Sequence, residues 1–293
     1  MVDLYDKGCP AKVIAEIDCN HKGDMEIAHE VIMVAAIFCK ADVVTFQKRC
    51  NKELLTPEEY NAPHPHSENS YGTTDGLHRE ALEFTVEQHA QLKAWCEESG
   101  IVYSTSVWDM ASTKEIAGLK PQLIKIPSAC NLTFDMLGWL CENYEGQIHL
   151  SFGMTSYEEE EKSVSFVEER NRAKDLVSYS CTSGYSVSFE DICLYEITRL
   201  REKVESRVGA IGFSGYHLGF AVDSAAMTLG ARRIERHFTL DRTWKGTDYA
   251  ASLAPDGMRR LCRDLRNVYK ALRYKSTDIL PIEEAQRKKL KRF

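Results

Sequence analysis

Short runs rich in β-branched residues alternate with amphipathic stretches along almost the whole chain, and this alternation most constrains the fold. Eight runs have the character of strands: 13–18, 42–47, 101–105, 122–126, 147–152, 176–181, 209–214 and 232–238. Stretches with helical periodicity lie between or after them, at 25–40, 87–99, 134–143, 157–170, 190–205, 220–229 and 255–272. Eight such units predict an α/β protein with a (β/α)8 TIM barrel. A doubly wound sheet is the alternative, disfavoured because no Gly-x-Gly-x-x-Gly motif follows the first run.

One connection is far longer than the others. Residues 48–86 separate the second strand from its helix, whereas such loops usually contain only a few residues. A long loop at the carboxyl end of a barrel strand is typical of a lid or a substrate-binding element. We therefore predict one barrel domain over residues 1–275, with an active-site loop at 48–86, and a short basic tail at 276–293.

The composition argues against several classes of protein. A net charge of −7 is unfavourable for a nucleic-acid-binding groove. The sequence contains no run of about 18 apolar residues and no signal pattern at its start. Its ten cysteines include no CxxC pair, which is typical of reduced thiols in a core. We predict a cytoplasmic protein without membrane or nucleic-acid partners and with all cysteines free.

The run from Arg233 to Phe238 differs from ordinary strands of parallel sheets, which are apolar on both faces. Side chains alternate along a strand, so Arg233, Glu235 and His237 share one face while Ile234 and Phe238 lie on the other. Ionisable groups on an inner face indicate the mouth of a barrel, where the carboxyl ends of strands carry function.

The side chains expected at the strand ends suit phosphate and hydroxyl groups. Lys125 offers a compact positive charge, and serine hydroxyls donate hydrogen bonds to anions. Carboxylates accept protons or bind sugar hydroxyls, and His237 has the chemistry to bind a metal ion or carry a proton. The other members of the set are Glu16, Gln47, Ser128, Ser151, Tyr185, Ser214, Glu235 and Asp248.

Motifs in a characteristic order resemble those of the sialic acid synthase family over residues 11–270. They are Ala15-Glu-Ile-Asp-Cys-Asn-His21, Phe46-Gln47, Lys125-Ile-Pro-Ser128, Ser151-Phe-Gly-Met154, Cys181-Thr-Ser-Gly-Tyr185, Gly212-Phe-Ser214 and Ile234-Glu-Arg-His-Phe-Thr-Leu-Asp-Arg242. The resemblance implies condensation of phosphoenolpyruvate with an aldose, such as N-acetylmannosamine, to a 3-deoxy-2-ulosonic, nonulosonate-like acid and phosphate.

The resemblance also implies roles for individual positions. The expected phosphoenolpyruvate ligands are Gln47, Lys125, Ser128, Ser151 and Ser214. The expected catalytic residues are Glu16, Glu235 and His237. The expected sugar contacts are Tyr185 and Asp248, joined by Arg79 because it precedes the second helix beneath the predicted lid. His237 is also expected to bind a divalent metal, Mn²⁺ or Mg²⁺, that polarises the aldehyde.

The chain departs from the family pattern at positions that carry the chemistry. Thr45 stands where the family has a lysine, and the nearby Lys48 has the opposite strand parity to Gln47. Tyr216 stands where the family has a metal-binding histidine, and a phenol is a poor metal ligand. The second ligand position therefore falls to either Tyr216 or its neighbour His217.

Two functions remain open from the sequence. The first is the synthase reaction; the second is a diverged barrel with another reaction or a non-catalytic binding role, because a lysine and a metal histidine are replaced. Cys130 lies beside the phosphate position as either an inert buried thiol or a reactive thiolate. The resemblance implies a homodimer, and the chain shows no antifreeze-like domain after its last predicted barrel helix.

Overall fold

The computed structural model describes residues 11–65, 70–184, 186–244 and 251–292. Eight parallel strands close into a barrel in sequence order. They are β1 Lys12–Glu16, β2 Val43–Lys48, β3 Val102–Val107, β4 Leu123–Ile126, β5 Gln147–Ser151, β6 Leu176–Cys181, β7 Ala210–Gly215 and β8 Arg233–His237. Because β1 pairs with both β2 and β8, the barrel prediction is confirmed and the doubly wound sheet is wrong.

Helices surround the barrel. They are α1 Met25–Met33, α2 Asn51–Leu54, α3 Pro57–Asn61, α4 Asp75–Ala81, α5 Val86–Ser99, α6 Met110–Gly118, α7 Phe134–Asn143, α8 Tyr157–Glu168, α9 Tyr195–Val204, α10 Ala221–Thr228, α11 Pro255–Ala271 and α12 Pro281–Leu290. The π-helix Val34–Cys39 continues α1, so the predicted helix 25–40 is one element with two hydrogen-bond patterns. α6, which is rich in small and polar residues, lies outside the predicted helices.

The alternation of side chains divides the strands into an outer face that packs on helices and an inner face. The inner apolar cluster consists of Ile14, Val43, Val102, Leu123, Val177 and Tyr179. Nearer the carboxyl ends the inner positions become polar although they remain buried. Among them are Glu16, Thr45, Ser106, Lys125, Ser151, Ser214, Glu235 and His237. The inner face is therefore largely apolar at the floor of the barrel, where Gln147 and Arg233 are its buried polar exceptions, and charged at the mouth.

The long connection after β2 is folded rather than open in its described part. It contains α2, α3 and α4, and Thr56 forms a capping box at the start of α3. The backbone N–H of Cys50 donates to the Asp109 carboxylate at 2.6 Å, and that of Arg49 donates to Glu83 at 2.9 Å. These bonds fix the beginning of the connection against the top of the barrel.

Two other expectations concern the chain end and the cysteines. The predicted tail 276–293 contains the helix α12, so it is not simply an extended basic segment. All nine cysteines in the described residues are free, as predicted. Across the described ranges, we find no helix with the length and apolar character needed to span a membrane.

Candidate active site

A cavity of about 320 Å³ opens at the carboxyl end of the barrel. Residues from the strand ends and the loops that follow them form its wall. They include Glu16, Gln47, Ser106, Trp108, Lys125, Ser128, Ser151, Met154, Tyr216, Glu235 and His237. The fold thus brings together most residues that the sequence predicted for the site, from strands that are far apart along the chain.

Lys125 and Glu235 form a buried ion pair in this wall. Ser214 Oγ donates to the same Glu235 oxygen at 2.8 Å, which joins β4, β7 and β8. The Lys125 ammonium also lies 4.8 Å from the centre of the Tyr179 ring below it. Burying this ion pair costs desolvation free energy. The pair holds the Lys125 ammonium at the floor of the cavity.

Hydroxyl groups lie on the same side of the cavity as Lys125. Ser128 Oγ accepts a hydrogen bond from the Gly153 N–H at 3.0 Å, which ties the loop after β4 to the loop after β5. A Cβ at Gly153 would lie 2.2 Å from Ser183 Oγ, so this close approach requires glycine. Within the described chain, Ser151 Oγ and Glu235 Oε2 are buried without a hydrogen-bond partner. Such atoms at a cavity wall fit polar atoms of a bound molecule.

Glu16 at the end of β1 is the second buried carboxyl group. Its oxygens accept hydrogen bonds from the Asp18 N–H at 3.1 Å and from Ser106 Oγ at 3.4 Å. Burial, followed by the nearby charges of Glu235 and Asp18, raises the pKa of Glu16 well above its usual range. Glu16 is thus the carboxyl group of this site whose protonated form burial favours.

Tyr216 and His217 face opposite directions at the end of β7. The ring centre of Tyr216 lies 5.3 Å from that of His237, at the cavity. His217 is buried on the other side, where its Nε2 lies 3.0 Å from Arg236 Nη1. Arg236 also donates to Asp223 at 2.6 Å. The structure therefore removes His217 from the candidate metal ligands, because its side chain belongs to a buried network behind β8.

Comparisons of sequence and structure with other proteins identify the family of this chain. The model of the NeuB family matches residues 32–277. The chain belongs to the NeuB family. It is 33% identical to the human N-acetylneuraminate-9-phosphate synthase over 281 residues, which cover 96% of this chain and 76% of the relative. It is 29% identical to the N,N'-diacetyllegionaminic acid synthase of Campylobacter jejuni over 262 residues, 89% of this chain and 77% of that one.

The fold of this NeuB chain matches solved structures as well. The N-acetylneuraminic acid synthetase of Leptospira borgpetersenii, in complex with citrate, superposes with a TM-score of 0.80. The match covers 97% of this chain and 93% of that chain at 24% identity, which demonstrates a shared fold.

A divalent metal ion at His237 remains a prediction from the resemblance. Across the described ranges, no three His, Cys, Asp or Glu side chains converge in a way that could hold a metal ion. His237 lies at the predicted position, but its neighbour Tyr216 offers a phenol, a poor ligand at neutral pH. Burial lowers the pKa of His237 below its usual value, so its imidazole is neutral near neutral pH.

The end of β2 carries a feature that the sequence reading missed. Gln47 Oε1 accepts hydrogen bonds from Trp108 Nε1 at 2.9 Å and from the Arg49 guanidinium. Lys48 faces the other way and pairs with Glu115 at 3.6 Å, as its strand parity predicts. Arg49 is two residues after Gln47 and has the same parity, and this was the signal available in the sequence.

Three other predicted positions lie elsewhere or are not described. Arg79 does not line the cavity; on α4 its Nε donates to Asp75 at 2.8 Å, so the structure does not support it as a sugar contact. Tyr185 and Asp248 lie outside the described residues. Burial raises the pKa of Cys130 to about 11, which favours the interpretation of an inert buried thiol over a reactive thiolate.

Proposed function

We propose that this NeuB chain condenses phosphoenolpyruvate with an aldose to give a 3-deoxy-2-ulosonic, nonulosonate-like acid and phosphate. The support comes from one arrangement: a cavity of about 320 Å³ that combines a buried cation, hydroxyl donors and a carboxyl group of raised pKa. The curated relatives are synthases of acids of this kind, N-acetylneuraminate 9-phosphate and N,N'-diacetyllegionaminic acid.

Phosphoenolpyruvate binds on the side of β4 to β7 in this proposal. The ammonium of Lys125 attracts the phosphate, and the hydroxyls of Ser128, Ser151 and Ser214 line the same wall or support it. Ser151 Oγ, which has no partner among the described residues, donates to a phosphate oxygen. A charge-assisted hydrogen bond is about twice as strong as a neutral one, so this wall selects an anion.

The carbon–carbon bond forms when the enol carbon of phosphoenolpyruvate attacks the aldehyde carbon of the open-chain aldose. Glu16 gives its proton to the aldehyde oxygen, which becomes a hydroxyl group. Water then adds to the cation that remains at the phosphate-bearing carbon. His237, whose imidazole is neutral, takes one proton from that water. The carbon–oxygen bond to phosphate then breaks as the new hydroxyl becomes the ketone carbonyl, and the hydroxyl proton leaves with the phosphate. Glu235 holds Lys125 in position throughout.

The sugar side of the proposal rests on Tyr185 and Asp248, which remain predicted contacts. A homodimer likewise remains a prediction. The requirement for Mn²⁺ or Mg²⁺ is part of the test, since His237 is the position at which the resemblance implies a ligand.

The deciding experiment measures phosphate release from phosphoenolpyruvate by the purified chain. The aldose panel contains N-acetylmannosamine, related hexosamines and their 6-phosphates, each with Mn²⁺, with Mg²⁺ and with chelator. We expect release that requires one aldose, with the new acid identified by mass spectrometry. The control is Lys48→Gln, which changes a side chain on the outer face at the end of β2. This variant should keep full activity.

The second candidate is a diverged barrel that performs another reaction or only binds a ligand. Tyr216 at the cavity, in place of a histidine, is the observation that favours it. A chain that unfolds cooperatively and binds phosphoenolpyruvate, but releases no phosphate with any aldose, would select this second candidate.

A further inference from the structure

The orientation of the Gln47 amide is determined by the chemistry of its two neighbours. An indole N–H and a guanidinium N–H only donate hydrogen bonds. Trp108 Nε1 and Arg49 Nη2 both contact the same Gln47 atom, so that atom is the carbonyl oxygen. Both neighbours therefore turn the amide nitrogen away from themselves, and no acceptor among the described residues takes a hydrogen bond from it.

We propose that Arg49 and Trp108 are positioning residues that make Gln47 present its amide N–H groups to the anion bound in the cavity. Gln47 and Trp108 line the cavity. Because the two neighbours occupy the carbonyl oxygen, the NH2 group of the amide is left to contact a ligand, and it donates hydrogen bonds. This inference rests on the proposed function, since phosphoenolpyruvate is the anion.

Arg49 is itself held in a fixed place by several groups. Its guanidinium lies 4.7 Å from the centre of the Trp108 ring, within the range of a cation–π contact. Asp18 and Glu83 each pair with it at 3.4 Å, and Cys19 Sγ lies 3.4 Å from Nη1. With its charge balanced by these carboxylates, Arg49 acts through Gln47 rather than as a direct ligand of phosphate.

The arrangement compensates for the neutral residue on β2. Thr45 is fully buried and its hydroxyl has no partner among the described residues, so it supplies no charge to the cavity. A cation bonded to the Gln47 carbonyl oxygen polarises the amide, and chains of hydrogen bonds strengthen one another. The β2 side thus offers a polarised neutral donor rather than an ammonium group.

A double-mutant cycle tests this coupling. The affinity for phosphoenolpyruvate is measured by isothermal titration calorimetry without aldose, in wild type, Arg49→Met, Gln47→Ala and the double variant. We expect Arg49→Met to weaken binding about tenfold, which corresponds to one charge-assisted hydrogen bond. In the Gln47→Ala background the same change is expected to cost less than about twofold, because the residue through which Arg49 acts is gone.

Three further variants separate positioning from structural support. Arg49→Lys keeps a charged donor and should recover most of the affinity, while Trp108→Phe keeps the ring and removes one donor. Gln47→Glu keeps both hydrogen bonds to its neighbours but turns a carboxylate oxygen toward the anion. We expect it to melt like wild type and to bind phosphoenolpyruvate about a hundredfold more weakly. Lys48→Gln is the matched control.

Additive effects of Arg49→Met and Gln47→Ala would overturn the inference, as would equal weakening of phosphoenolpyruvate and aldose binding by Arg49→Met. Absence of phosphoenolpyruvate binding in wild type would overturn it too. If wild type binds phosphoenolpyruvate but never releases phosphate, the proposed reaction is wrong, while the calorimetric cycle still decides the role of Arg49.

Discussion

The two sides of the barrel mouth have diverged to different extents. On the β4 to β7 side, Lys125 and Ser214 keep the residues that the family resemblance implies and share hydrogen bonds to one carboxylate. On the β2 side, Thr45 stands where the resemblance implies a lysine, and Arg49 approaches from beyond the strand end. Tyr216, just after β7, likewise stands where the resemblance implies a histidine.

The two sides differ in whether a substitution would leave a buried charge without its counter-ion. Replacing Lys125 would leave the carboxylate of Glu235 buried without its counter-ion, which is strongly destabilising. Thr45 is an uncharged residue in a buried position, so no carboxylate depends on it. Lys125 therefore cannot be replaced without disturbing the barrel. The position of Thr45 can be replaced, because a neighbouring residue such as Arg49 can supply a cation from beyond the strand end.

The largest effect is expected from Lys125→Met. It removes the buried cation on the β4 to β7 side, so kcat/KM for phosphoenolpyruvate should fall by about a thousandfold. The melting temperature should also fall because Glu235 loses its partner. In Lys125→Met/Glu235→Gln the melting temperature should recover while the activity does not. Wild-type activity in the single variant would contradict the proposed anion site.

Glu16→Gln tests the carboxyl group between the two sides. We expect kcat to fall by about a hundredfold, because the proton donor is lost. The pKa of Glu16 is raised, so wild-type kcat should decrease as pH rises through that pKa and deprotonates the acid. Stability follows the same sign: the folded state binds the extra proton, so stability is lost over the same rise in pH.

Measured pH profiles of kcat and of the free energy of unfolding check this assignment. In Glu16→Gln, both the alkaline decrease in kcat and the associated loss of stability should be reduced. An unchanged profile in the variant would assign the titration to another group, and Glu16 would not be the acid.

Tyr216→His tests the second replaced position, just after β7. The ring of Tyr216 lies 5.3 Å from that of His237, so the substitution brings two imidazoles to the cavity. We expect Mn²⁺ affinity to increase at least about tenfold, measured by electron paramagnetic resonance, since imidazole is a far better ligand than a phenol. His217→Ala is the control that should not change Mn²⁺ affinity, because His217 lies behind β8.

The smallest effect is expected from Cys130→Ser. The thiol contacts the Trp108 carbonyl oxygen at 3.3 Å, and burial keeps it protonated. We expect kcat to change by less than about twofold and the melting temperature by only a few degrees. Loss of activity with retained folding would restore a chemical role for this cysteine.

The barrel could be predicted from the sequence because its signals are local. The predicted strands agree with the observed ones to within two residues at each end, since β-type runs are bounded by helical periodicity. The inner face of β8 was also predictable, because side chains alternate with a period of two. The helix α6, which is rich in small and polar residues, was missed.

Site residues were predictable where strand parity alone decided their direction. Lys125 and Glu235 are 110 positions apart, and both were expected at the mouth because each is inward at a strand end. Arg79 does not line the cavity, since its position depends on how α4 folds within the long connection. Arg49 was missed because it lies just beyond the end of β2 and outside the predicted strand, although it has the parity of Gln47.

The sequence by itself determined the barrel, the order of its strands and the set of polar side chains at its mouth, because hydrophobic periodicity is a property of neighbouring residues. Only the tertiary structure decided which polar groups meet. It turned His217 toward Arg236 and Asp223, and it joined Arg49 to Gln47 and Trp108. Such pairings depend on the register and closure of eight strands, which bring distant residues within hydrogen-bonding distance.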